Sequence, residues 1–112
     1  MQYALLIYDK PGSHEALSGE EREAVYGEYF ALSEDPRCVG GAQLQPVQTA
    51  TTVRVQAGGT LVTDGPFANT KEVFGGYYVF EAKDLDEVLE LAARIPSARL
   101  GGSVEVRPLV ER

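Results

Sequence analysis

The chain reads as an α+β domain: one antiparallel sheet with two helices packed on one of its faces, in a ferredoxin-like layout. Three observations predict this. Short β-rich runs and helical patterns follow one another as strand, helix, strands, helix, strand. Both helical stretches open on a capping signal and stop at a proline. The length, 112 residues, suits a single domain spanning 1–112.

The first strand is Tyr3–Tyr8, an apolar run bounded by Asp9-Lys10-Pro11-Gly12. A polar loop carries His14, the only histidine. Ser18-Gly19-Glu20-Glu21 then forms a capping box, and Glu20, Glu21 and Glu23 suit the positive end of a helix dipole. Val25, Tyr29 and Leu32 recur at helical spacing, with Tyr26 and Phe30 as a neighbouring pair. Gly27 weakens this helix, and it is expected to end before Pro36. Gly40-Gly41 reads as a turn into a short strand, Ala42–Pro46. Thr51–Gln56 alternates polar and apolar residues, and Gly58-Gly59 is a hairpin signal that returns the chain through Thr60–Thr63. Gly75–Ala82 is the most apolar strand and is placed centrally. Asp84 caps a second helix whose apolar face comprises Leu85, Val88, Leu89, Leu91, Ala92 and Ile95 before Pro96 stops it. Gly101-Gly102 leads to a last strand, Ser103–Pro108, with Val104 and Val106 on one face and Glu105 and Arg107 on the other.

Composition narrows the function classes. Seventeen acids oppose ten bases, for a net charge of −7, and the bases are scattered. A nucleic-acid surface needs clustered Lys and Arg, and an anionic membrane surface also attracts positive charge, so neither partner is expected. No apolar run is long enough to span a bilayer. Met1 leads directly into a strand pattern without a secretory leader, and Cys38, the only cysteine, has no internal disulfide partner. A reducing cytoplasm is the expected setting. Cys38 beside Val39 fits a small packing residue better than a nucleophile. With one His, no zinc-type ligand set and no Ser-His-Asp grouping can be assembled, so no metal is expected. Gly75-Gly76 lacks the Lys-Ser/Thr ending of a phosphate loop, and no cofactor is expected.

The densest chemistry lies in Thr63-Asp64-Gly65-Pro66-Phe67-Ala68-Asn69-Thr70-Lys71-Glu72, between two strands. As an ordinary connection it is a turn with a proline, in which Asp64 accepts backbone N–H groups. As a site it offers Asp64 as a partly buried acid–base carboxylate beside Phe67, Lys71 as a charge stabiliser and Glu72 as a second carboxylate. Lys71 and Glu72 also suit a surface ion pair worth at most about 1 kcal/mol. Tyr3, Tyr8, Tyr77 and Tyr78 are phenol donors on the sheet. Tyr77 and Tyr78 face opposite sides, so one of them is packing. The substrate-contacting set is therefore Tyr8, Gly65, Pro66, Phe67 and Tyr77.

This ten-residue run resembles the signature of the DGPF branch of the YCII-related domain family. Met1–Tyr8, Leu44-Gln45-Pro46, Thr52–Val55, Ile95-Pro96-Ser97-Ala98-Arg99 and Val104–Pro108 extend the likeness over nearly the whole chain. The resemblance implies that two chains pair sheet to sheet as a dimeric α+β barrel, with a small-molecule pocket between sheet and helices or near the seam. Members outside this branch resemble enzymes with a His–Asp pair whose His lies on the first helix. Here Glu20–Leu32 contains no His, and His14 lies too early to be carried over. Some relatives resemble lyases that release chloride from aromatic-derived substrates, while others are linked to sigma factors. Two readings follow. One is a lyase-like acid–base enzyme acting on a small polar metabolite through Asp64, Lys71 and Glu72. The other is a non-catalytic ligand-binding or interaction module serving a sigma factor.

Overall fold

The computed structural model describes residues 1–66 and 70–112. Strands β1 (Gln2–Asp9), β2 (Cys38–Gln43), β5 (Val73–Glu81) and β6 (Ser103–Pro108) form one antiparallel sheet in the order β2-β5-β1-β6. Helices α1 (Gly19–Ser33) and α2 (Leu85–Ala93) supply its covered face. The α+β class with one antiparallel sheet and two helices is therefore observed. Strands β3 (Thr51–Gln56) and β4 (Gly59–Asp64) depart from the expected single sheet and form a separate two-stranded hairpin. No described helix is long and apolar enough to cross a membrane.

The pleat of β1 explains the covered face. Tyr3, Leu5 and Ile7 alternate inward and are buried, while Ala4, Leu6 and Tyr8 point to the other side. β5 is antiparallel to β1, and Tyr3 stands opposite Phe80, which is fully buried. Leu32 of α1 and Val88, Leu91, Ala92 and Ile95 on or just past α2 complete the core, with Val104 and Val106 packed against it. The spacing of Val88, Leu91, Ala92 and Ile95 sets one helical stripe. Leu85 and Leu89 lie on the outer side of α2 and are exposed, so its apolar face is narrower than the sequence suggested.

Both predicted caps form. The Ser18 hydroxyl accepts from the Glu21 N–H at 3.1 Å, and the Glu21 carboxylate accepts from the Ser18 N–H at 2.9 Å. That second bond holds the Glu21 carboxyl below its usual range. Asp84 accepts from the Glu87 N–H at 2.9 Å. At the far end of α1, Asp35 and Arg37 bind each other through two guanidinium nitrogens and the Arg37 N–H. Those bonds hold Asp35 at about 2.

Strand β2 begins at Cys38, four residues before the expected Ala42. Gly40 and Gly41 lie within it rather than forming a turn. Gly41 has φ +149, and a Cβ there would stand 2.5 Å from the Tyr77 carbonyl oxygen. The glycine is therefore required for close approach of β2 to β5 inside the sheet. Cys38 is half-buried and packs against the core, as a small residue does.

Candidate functional site

The site lies where β1 ends. The register between β1 and β5 shifts between Ile7 and Tyr8: Ile7 pairs with Gly76 and Tyr8 with Phe74, so Gly75 is the extra residue of a bulge. This bulge makes room for Asp9. A Cβ on Gly75 would stand 2.3 Å from Asp9 Oδ2, which means that the carboxylate rests directly over the glycine. Asp9 is half-buried and lines a cavity of about 740 Å³ between the sheet and α1.

The other Asp9 oxygen is engaged by a residue distant in sequence. Ile95-Pro96-Ser97 follows α2, and a proline at the start of the 3-10 turn Pro96–Ala98 is already preset in φ. Ser97 is 2% exposed, and its hydroxyl donates a short hydrogen bond to Asp9 Oδ1. On its other side, Ser97 Oγ lies 2.7 Å from the Tyr29 hydroxyl of α1. A serine has one proton to give. Ser97 gives it to Asp9, so Tyr29 donates to Ser97. The Tyr78 hydroxyl donates at 2.8 Å to the Tyr29 carbonyl oxygen. Three secondary-structure elements and the turn are thereby tied at one point.

The phenols are held protonated. Burial pushes Tyr29 upward, the nearby Asp9 charge adds to this, and the Ser97 bond partly offsets it. Burial pushes Tyr78 up to about 12. Both are hydrogen-bond donors at neutral pH. Tyr26, Tyr29 and Tyr78 give the cavity aromatic walls, Phe74 and Tyr77 reach its margin from the other face of β5, and Lys10, His14 and Glu15 supply charged or titratable groups around it. The arrangement suits a small molecule with a flat apolar body and polar edges: aromatic walls take the body, and the carboxylate takes a proton.

The sequence-predicted residues are divided by the structure. Tyr77 lines the Asp9 cavity. Tyr8, Pro66, Lys71 and Glu72 line a second, open hollow of about 1010 Å³, which Phe74 shares with the first. The Tyr8 and Phe74 rings meet with centroids 5.5 Å apart. Glu72 accepts from the Ser103 hydroxyl at 3.0 Å, which ties the residue before β5 to the start of β6. Asp64 ends β4 and is exposed, so the expected partial burial is not found. Gly65, at φ +93, is spent on the turn: its N–H donates to the Ala50 carbonyl at 2.7 Å, and its carbonyl accepts from the Thr52 hydroxyl at 2.8 Å. Phe67 lies outside the described residues.

Asp9, Ser97 and Tyr29 were not singled out as chemical groups by the sequence. Asp9 read as the end of a strand, and Tyr29 as part of a packing stripe. The available signal was a lone acid between an apolar run and Lys-Pro-Gly, which also describes many loops. His14 precedes the first helix in sequence, yet the 10–18 segment folds back and brings it to the same cavity. Arg22 holds that segment by donating to the His14 and Leu17 carbonyls at 3.3 and 3.4 Å.

A small α+β domain with a carboxylate-bearing cavity between sheet and helix defines the class, and comparison with known proteins gives the family. The YCII-related domain matches residues 1–112, and the chain belongs to that family. An uncharacterised protein of Rhizobium meliloti (strain 1021) is 40% identical over 114 residues, covering 97% of this chain and 92% of that protein. Among solved structures, the chain is similar to 5-chloro-2-hydroxyhydroquinone dehydrochlorinase from Burkholderia phenoliruptrix AC1100, determined in complex with 2,5-dihydroxybenzoquinone. That likeness has a TM-score of 0.59 at 18% identity and covers 100% of this chain and 96% of the other. At that identity the likeness speaks for the fold.

Proposed function

We propose that the protein is a lyase-like acid–base enzyme acting on a small, ring-containing polar molecule, with Asp9 as its proton-accepting group. The observation that carries this reading is the Asp9 carboxylate, seated over Gly75 and fixed by buried Ser97 inside an aromatic-walled cavity. An elimination removes a proton and a leaving anion from its substrate. A positioned carboxylate takes the proton, and the aromatic walls hold the ring beside it. The dehydrochlorinase named above catalyses a reaction of this kind, which makes chlorinated hydroxyhydroquinones the natural first substrates to try. The acid–base role falls to Asp9 rather than to the exposed Asp64, and Lys71 and Glu72 border the neighbouring hollow.

The test is chloride release from 5-chloro-2-hydroxyhydroquinone. Wild-type protein is expected to release chloride catalytically. Asp9→Asn, which keeps the shape and removes the base, is expected to lose about 10²–10⁴-fold in rate. Undiminished turnover in the variant rejects Asp9. No turnover by wild-type protein, with or without saturable binding of 2,5-dihydroxybenzoquinone, rejects this substrate class.

In the same reading the chain is a DGPF-type member with a ferredoxin-like fold that works as a homodimer, a dimeric α+β barrel. Support comes from the sheet face opposite the helices. There Tyr77 and Phe74 are exposed and Leu6, Tyr8 and Val79 half-covered, an apolar surface that a second sheet can cover. Sedimentation at micromolar concentration is expected to show a dimer, and a monomer alone overturns this part of the reading.

A further inference from the structure

We infer that Tyr29, Ser97 and Asp9 form a directed proton relay, in which the Tyr29 hydroxyl exchanges a proton with the ligand and Asp9 is the relay's terminal acceptor. This rests on the cavity between β1, β5 and α1 being the site of acid–base chemistry. It assigns the group through which that chemistry reaches the ligand.

The direction is fixed by hydrogen-bond accounting. Ser97 donates to Asp9 Oδ1, so its oxygen is left as an acceptor, and Tyr29, 2.7 Å away, is the donor. The ground-state order is therefore Tyr29 to Ser97 to Asp9. Asp9 Oδ1 is occupied by Ser97, and Oδ2 lies over the Gly75 main chain. Ser97 is sealed from the cavity at 2% exposure. Tyr29 is the member of the chain that is half-buried, lines the cavity and carries an exchangeable proton. Its main chain is held in place, because the Tyr78 hydroxyl donates to its carbonyl oxygen.

The proton count closes. A ligand X–H gives its proton to Tyr29 Oη as the proton already on Tyr29 passes to Ser97 Oγ and that on Ser97 passes to Asp9 Oδ1. The ligand loses one proton, Asp9 becomes a neutral acid, and Tyr29 and Ser97 end as they began. The reverse movement returns the proton. Tyr29 thus works as a base without passing through a free tyrosinate, a form that its burial disfavours. Ser97 is a positioning and relaying residue.

The relay is tested in the ligand-free protein. Tyrosine labelled with ¹³C at Cζ gives six signals, and the Tyr29 signal is assigned by its loss in Tyr29→Phe. In wild-type protein the Tyr29 signal is expected to move as acidification protonates Asp9, because the relay then loses its acceptor. The movement is expected to disappear in Asp9→Asn and in Ser97→Ala, and to persist in Tyr78→Phe. Other charges near the chain are Arg99, paired with Glu28, and Lys10, His14 and Glu15 around the cavity. Those groups are all retained in Ser97→Ala, so a movement that persists there reports a field effect and overturns the relay. A wild-type signal that stays still in acid overturns it too, as does loss of the movement in Tyr78→Phe. Failure of the relay leaves Asp9 acting directly, whereas failure of chloride release leaves these signals untouched, so the two outcomes are distinguishable.

Discussion

Alanine in place of Gly75 is expected to lower turnover about 10²-fold or more while leaving the fold and the charge of Asp9 in place. The added Cβ would stand 2.3 Å from Asp9 Oδ2 and 3.4 Å from its Cγ, distances at which something must move. The nearest backbone atom, the Val73 carbonyl oxygen, is 4.0 Å away, so the strand itself is not in conflict. Gly75 also has no left-handed φ that an alanine would strain. The side chain of Asp9 is the part that gives, and its movement breaks the bond from Ser97. A carboxylate displaced by an ångström or more loses most of its catalytic advantage, because proton transfer depends on geometry before basicity. The loss in chloride release is expected to approach that of Asp9→Asn, about 10²-fold or more, with a thermal midpoint close to wild type. Full activity in Gly75→Ala would show that the position of Asp9 over the bulge is immaterial.

Phe80→Ala is expected to give the largest loss of stability, about 3–5 kcal/mol. Phe80 is fully buried in β5 and lies between Tyr3 of β1 and Cys38 of β2 in the pairing register. Its ring meets that of Tyr78 edge to face at 5.6 Å. Truncation leaves a cavity at the centre of the sheet and removes the aromatic pair. A domain of ordinary stability has about 5–15 kcal/mol in total, so the variant sits near the limit of folding. Urea unfolding followed by circular dichroism measures the change. A midpoint within error of wild type would place the core elsewhere. Because Tyr78 also anchors Tyr29, any folded fraction is expected to have a loosened site.

Local signals carried most of the fold. The apolar runs of β1 and β5, the capping box at Ser18, the N-cap at Asp84 and the stop at Pro96 each act within a few residues, and each has the predicted consequence. Two features were misread because their causes are not local. Gly40-Gly41 looks like a turn until the closeness of the Tyr77 carbonyl shows why a strand needs glycine there. Leu85 and Leu89 are as apolar as Val88 and Leu91, and only the placement of α2 on the sheet decides which stripe is covered. The site was less legible for the same reason. Ser97 lies 88 residues from Asp9 and 68 from Tyr29, separations that periodicity and motif spacing cannot bridge. The richest sequence run drew the reading to Asp64, whose chemistry is conspicuous in one dimension and which the hairpin leaves exposed.

The β3–β4 hairpin has a consequence for how the molecule breathes. Its cross-strand pairs run from Thr51–Asp64 to Gln56–Gly59, and the bonds at its base join Gly65 to Ala50 and Thr52. Every residue of β4 is exposed, and Val53, Val55, Leu61 and Val62 are open to solvent. Separating these strands costs their own pairing and leaves the four-stranded sheet intact. In the isolated chain, hydrogen exchange in the hairpin is therefore decoupled from global unfolding, and its amides exchange well before those of β1 and β5. Any partner that covers the hairpin will be visible first as slowed exchange there.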